Sequence, residues 1–431
     1  MKKLLFVIFI LTLLLVLISC DGASTDWQGL RFYLTNDGSY CVNVGDAKDR
    51  SEIIIPATHR NKPVSAIDDE GFMDCVNLKR IEIPSSITSI GERAFSGCTN
   101  LVSVVIPDGV TSISFGMFYN CTSLSSVVLP CGVTNIDAAV FYNCRGLTSI
   151  VIPESVTNIF GPFLEGCEKL VEIINKSSLN ITVDFDSQVH VGYNTKIVHN
   201  GESKIVNKDG YLFFTFDGTN YLLGYIGEDK EIVLPHTYNG ENYEIYKYAF
   251  EACADITSVV IGNGVTSICE RAFFGCTNLE SVVIGNGITS ITDQAFIGCK
   301  SLSSVVIPDS VTIIGDEAFR DCTSLTDLVI PDSVRNIENF AFYGCKSLSS
   351  VVIPDNITII GGEAFASCTA LTSVEFPNNV KHIGENAFAF CTALTSIKYR
   401  GTEEQWKSIA KGENWNHQIG SYTVIYNYDG E

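Results

Sequence analysis

The residues best equipped for chemistry are sixteen cysteines and six histidines, and their spacing decides what they can do. Zinc sites draw on close pairs of the Cys-x2-Cys kind, and the sequence has none. Instead Cys75, Cys98, Cys121, Cys144 and Cys167 recur every 23 residues. So do Cys253, Cys276, Cys299, Cys322, Cys345, Cys368 and Cys391. Disulfides between successive units are conceivable, because neighbouring strands lie ~4.8 Å apart. A thiol in the same slot of every unit fits a small core residue better, so buried thiols are expected. Cys131 and Cys269 fall off the ladder, where sister units carry Asp and Gly, and are the candidates for reactive thiols. None of His59, His190, His199, His236, His382 and His417 pairs with a Cys or carboxylate at a recurring catalytic spacing. Asp108, Asp309, Asp332 and Asp355 each follow a proline. A row of carboxylates can hold calcium, but Asp also suits turns, and the turn reading is preferred. No catalytic residue, metal or cofactor is therefore expected.

The element that positions these cysteines is a repeat. Three residues before each ladder Cys stands Phe, from Phe72 to Phe141 and from Phe250 to Phe388, with only Leu164 departing. One unit runs from Leu302 to Ser324. In its strand Val305 and Ile307 point one way and Ser304 and Val306 the other. Pro308 lacks an N–H, so it ends the ladder and turns the chain. Val311 and Ile313 begin a second apolar side. Ala318, Phe319 and Cys322 are expected to share one face of a short helical turn. One coil cannot bury this apolar set; stacked coils bury it as continuous rows.

The period of 23 and the pattern Leu-x-x-Val-x-Ile-x-x-x-Val fit a leucine-rich repeat. The full motif closes on Ile-Gly-Glu-Arg-Ala-Phe-Ser-Gly-Cys at 90–98 and Ile-Gly-Glu-Asn-Ala-Phe-Ala-Phe-Cys at 383–391. It resembles the BspA-like leucine-rich-repeat surface proteins, and twelve copies carry the resemblance. That resemblance implies a β-rich solenoid horseshoe and attachment to a protein ligand, such as host fibronectin or fibrinogen, or to other cells.

The ladder breaks between Cys167 and Cys253. Within the break, Phe213 to Leu223 reads as a hairpin around Asp217-Gly218, and Arg31 to Cys41 reads likewise around Asp37-Gly38. Two arrays, each behind a β-hairpin cap, follow from this. The expected divisions are a cap over 20–52, array one over 53–174, an interruption with the second cap over 175–230, array two over 231–398 and a closing cap over 399–431. In that last segment Thr402 and Gln405 form a capping box, and Trp406, Ile409 and Ala410 are expected to share a helix face that closes the core.

Residues 1–19 read as a secretion signal: Lys2 and Lys3, then an apolar run from Leu4 to Ile18 broken only by Thr12. The run falls short of the ~20 residues of a spanning helix. Leu17-Ile18-Ser19-Cys20 resembles the bacterial lipobox, which implies acylation of Cys20 and a membrane-anchored, exported protein. With 46% hydrophobic residues the chain can build an extended core. Its formal net charge of −21 argues against nucleic acid as a partner.

A partner is expected on the outward side of the main strands. In array two the first outward row is Ser258, Ser281, Ser304, Asp327, Ser350, Ser373 and Ser396; the second is Val260, Val283, Val306, Val329 and Val352, then Glu375 and Lys398. An apolar stripe beside a hydroxyl stripe suits a protein segment. A structural spacer without a specific ligand is the alternative.

Overall fold

The computed structural model describes residues 29–183 and 194–428. The chain is a stack of coils, most of which contribute one main strand and one second strand. Sixteen main strands are present among the described residues, seven from Glu52–Ile54 to Ile197–His199 and nine from Glu231–Val233 to Thr423–Ile425. Successive coils pair in parallel and in register: Ser258, Ser281 and Ser304 are aligned, as are Val259, Val282 and Val305. A single 23-residue period therefore returns each side chain to the same place one strand spacing away. The second strands of array two continue the three strands ahead of them in an eleven-stranded sheet from Val206–Lys208 to Ala410–Lys411.

The interior is built as the repeat requires. Phe72, Phe95, Phe118 and Phe141 stack with ring centroids 5.5–5.7 Å apart. Phe250 to Phe388 form a second column at 4.8–5.4 Å. The ladder cysteines are free thiols, all buried apart from the half-buried Cys253. Ten of the twelve also have a polar task. The thiol of Cys299 donates to the carbonyl of Phe273 at 3.2 Å, and that of Cys121 to Phe95 at 3.0 Å, in the preceding coil. Burial pushes the Cys121 and Cys345 thiols far above their ordinary range, so they stay protonated donors. The off-ladder pair divides. Cys131 is exposed, whereas Cys269 is half-buried and its pKa is pushed up to about 11, chiefly by burial. Cys269 is therefore not a reactive thiol near neutral pH, contrary to the expectation from its position.

The segment around each Phe is turn rather than helix, and the backbone explains why. In the coil holding Phe319, Glu317 and Asp321 have positive φ of 56° and 58°. These two left-handed residues bracket Ala318 and Phe319 and interrupt any helical run. The N–H groups of Glu317, Phe319 and Asp321 then point along the stack and donate to Asn339, Ala341 and Tyr343 of the next coil at 2.8–2.9 Å. A helix would have spent those donors within its own turn. The only α-helix among the described residues is Glu403–Ser408.

Two extensive cores exist rather than one. The first runs from Leu30 to Ile181 and the second from Tyr211 to Trp415, with a small cluster of Val171, Phe214, Leu223 and Tyr246 between them. Each begins at an antiparallel hairpin, Arg31–Leu34 with Tyr40–Asn43 and Tyr211–Phe216 with Thr219–Tyr225. Gly38 and Gly218 take positive φ in those turns, as a tight hairpin demands. The strand Val206–Lys208 precedes the second hairpin and pairs with it. At the far end Thr402 and Gln405 form the expected capping box. Trp406, Ile409 and Trp415 are buried and close the core, the Trp406 ring lying 5.4 Å from Phe376. Ala410 does not join them: it is exposed and opens a strand paired with His382–Ile383. Cys20 and the whole 1–19 segment lie outside the described residues.

Candidate binding surface on the strand face

The outward rows stand where alternation along each strand puts them. Val259, Val282 and Val305 face the core, while Val260, Val283, Val306, Val329 and Val352 are 38–77% exposed. Register extends the row one coil further back. Val233 aligns with Val260, Val283 and Val306 and is 66% exposed, making six consecutive outward valines. Sequence reasoning missed Val233 because its coil lies beside the interruption, although Pro235 marks the same strand end as in sister coils. At ~4.8 Å per strand the six span roughly 24 Å.

Beside the valines, Ser258, Ser281, Ser304, Ser350 and Ser373 form the hydroxyl row, interrupted by the exposed Asp327. Their hydroxyls carry no hydrogen bond among the described residues, so they remain available to a partner. The row next to them is committed: Ser303, Thr326 and Thr372 donate to carbonyls of the preceding coil at 3.0–3.3 Å. Charge ends the stripe. Glu375 aligns with Val352 and is followed by Lys398. The guanidinium of Arg400 donates to Glu375 at 2.6 and 2.9 Å and to Asp355 at 2.9 Å.

Array one presents less. Its outward row is Ile54, Glu82, Val105, Val128, Val151 and Ile174. Glu82 is paired with Arg80 at 2.6 Å, and Ile174 is buried. Glu172 is completely buried on this same face. It accepts from Ser203 Oγ at 2.5 Å and the Lys204 N–H at 2.7 Å, and lies 2.9 Å from His199 Nε2. The two arrays are joined by polar contacts: Arg145 to Glu251 at 3.0 Å, and Lys169 Nζ to the Ala249 carbonyl at 3.0 Å. Burial depresses the Lys169 pKa below its usual value. These junction contacts carried no sequence signal, since they join residues from separate arrays.

Asp108, Asp309, Asp332 and Asp355 sit exposed in turns. Among the described residues no group of three or more His, Cys, Asp or Glu side chains could hold a metal ion. No helix among them is long and apolar enough to cross a membrane. Different chemistry holds the acidic row on the other strand face. Asp293 and Asp316 each accept, through Oδ1, the N–H one coil on, at 3.0 and 2.8 Å. These carboxylates are structural caps.

A family model described as BspA type leucine rich repeat region matches six copies over residues 65–184, 243–328 and 289–410. Among solved structures, the chain is similar to a leucine rich cell surface protein from Faecalibacterium prausnitzii, at 26% identity and a TM-score of 0.31, covering 91% of this chain and 98% of that one. It is also similar to a leucine-rich repeat protein from Bacteroides ovatus, at 25% identity and a TM-score of 0.36, covering 86% and 98%. No curated protein gives a significant match.

Proposed function

The chain belongs to the BspA-type leucine-rich-repeat family, and from that membership we propose that it is a lipid-anchored surface protein that binds a protein partner on the strand face of array two. The observation that carries this reading is the row of six exposed valines from Val233 to Val352, flanked by uncommitted serine hydroxyls. Burying apolar area of this kind contributes ~25 cal/mol per Å², and the serines supply hydrogen bonds that fix orientation. The core does not require valine there, because these side chains face away from it. Export and anchoring through acylated Cys20 place the face outside the cell, where a host matrix protein or another cell is the ligand class implied by the family. No catalytic step is assigned.

The test is binding of the full-length chain to immobilised matrix proteins and cell lysate, compared with Val283→Lys/Val306→Lys/Val329→Lys. These positions are exposed, so each change is expected to alter stability by no more than ~0.5 kcal/mol. The variant should keep its circular dichroism spectrum and lose saturable binding. The uniformity of the coils favours one rival, a stiff spacer, which would keep its role in that variant.

A further inference from the structure

On the side away from the serines, the valine row is bordered by a second row that carries charge. One residue beyond each strand proline, Asp309, Asp332 and Asp355 stand exposed at one-coil intervals. Arg400 shows that this acidic row and the valine row share a face. A single guanidinium reaches Glu375, which occupies a valine-row position, and Asp355 in the acidic row. At Asp309 and Asp332 no such arginine follows. Twenty residues after Asp309 and Asp332, where Glu375 follows Asp355, stand the apolar Val329 and Val352.

We propose that the partner of this face is cationic: a polypeptide segment whose apolar residues cover the valines from Val283 to Val352 and whose Lys or Arg side chains lie over Asp309 and Asp332. This rests on the strand-face reading above and narrows it. Charge selects the occupant. A second copy would bring together two chains of formal net charge −21, and anionic lipid or nucleic acid would be repelled likewise. A basic segment is instead steered in by the whole field and then held locally, as Arg400 is. Such attachment weakens with salt, because the carboxylates are solvent-exposed.

The experiment titrates the full-length chain with a dye-labelled peptide of about eight residues alternating Val and Arg, long enough at ~3.3 Å per residue to cover the row. Glu-for-Arg and Ser-for-Arg versions serve as controls, and anisotropy is the readout. The Val–Arg peptide should bind saturably. Asp309→Asn/Asp332→Asn should weaken it about tenfold at low salt, with the difference vanishing near 1 M NaCl. Asp293→Asn/Asp316→Asn removes equal charge from the other strand face while keeping each capping oxygen, and should change affinity less than about twofold. Equal weakening by the two double variants, or tight binding of the Glu peptide, overturns the proposal. If the Ser-for-Arg peptide alone binds, and the triple lysine variant abolishes it, the strand-face reading survives and the cationic partner does not. If no peptide binding responds to the valine substitutions, both fail.

Discussion

The two arrays bury the same residue types in the same slots, yet their aromatic columns differ in spacing. Ring centroids lie 5.5–5.7 Å apart in array one and 4.8–5.4 Å apart in array two. The slot preceding each Phe differs as well. Array two places alanine there in every coil from Ala249 to Ala387, whereas array one places Gly71, Ala94, Met117 and Val140, all buried. The outward faces diverge in parallel: array two keeps an unbroken valine row, while array one breaks its own with Glu82 and covers its end at Ile174. Close packing thus constrains the inside of both arrays, and only array two adds a uniform exterior that packing does not demand.

The comparison breaks most readily at the aromatic columns. Phe118→Ala and Phe296→Ala should each cost ~3–5 kcal/mol. Hydrogen exchange should show the loss confined to the array carrying the substitution, since the two cores are separate. Protection lost equally in both would mean one cooperative unit. Exchanging the slot residues sharpens the contrast. Met117→Ala should cost ~2–5 kcal/mol through a cavity, and Ala318→Met ~1–3 kcal/mol through overpacking, both read from denaturant midpoints. At the junction, a double-mutant cycle on Arg145 and Glu251 should return about 1 kcal/mol of coupling. Glu251 is largely buried but Arg145 is 38% exposed, so solvent screens part of the attraction.

The smallest effect separates two cysteines, one from each array. At pH 8 iodoacetamide should modify exposed Cys131 and leave Cys269, as read by peptide mass spectrometry. Cys269 alkylation should rise only as pH approaches about 11. Cys269 has a folded pKa raised above the free thiol's ordinary 9.0, so its stabilising contribution is complete below pH 9 and is lost as pH climbs through about 11.

Much of this architecture was legible in the chain because a period of 23 repeats one physical problem many times. Phe, Cys and the strand prolines each mark a coil, and alternation along Ser304–Val306 set the inward and outward rows. The capping box at Thr402 and Gln405 was equally readable, being a local hydrogen-bond pattern. The turn around Phe319 was not. Its apolar spacing matches a helix, and only the inter-coil hydrogen bonds select left-handed Glu317 and Asp321 instead. Ala410 was misplaced for a related reason, since pairing with His382–Ile383 ended the helix early. Glu172, His199 and Lys169 were invisible because long-range contact alone gives them meaning. Of the proposed site, the serine and valine rows could be read directly, whereas Val233 required the register.

In-register stacking has a genetic consequence. An interior coil meets neighbours that are nearly copies of itself, so unequal recombination can insert or delete a coil without creating an unfamiliar interface. The hairpin and tryptophan ends are exempt, since each closes the stack against solvent and has no twin. Length, and with it the number of side-by-side valines, is therefore the property that lineages of this chain can change most freely.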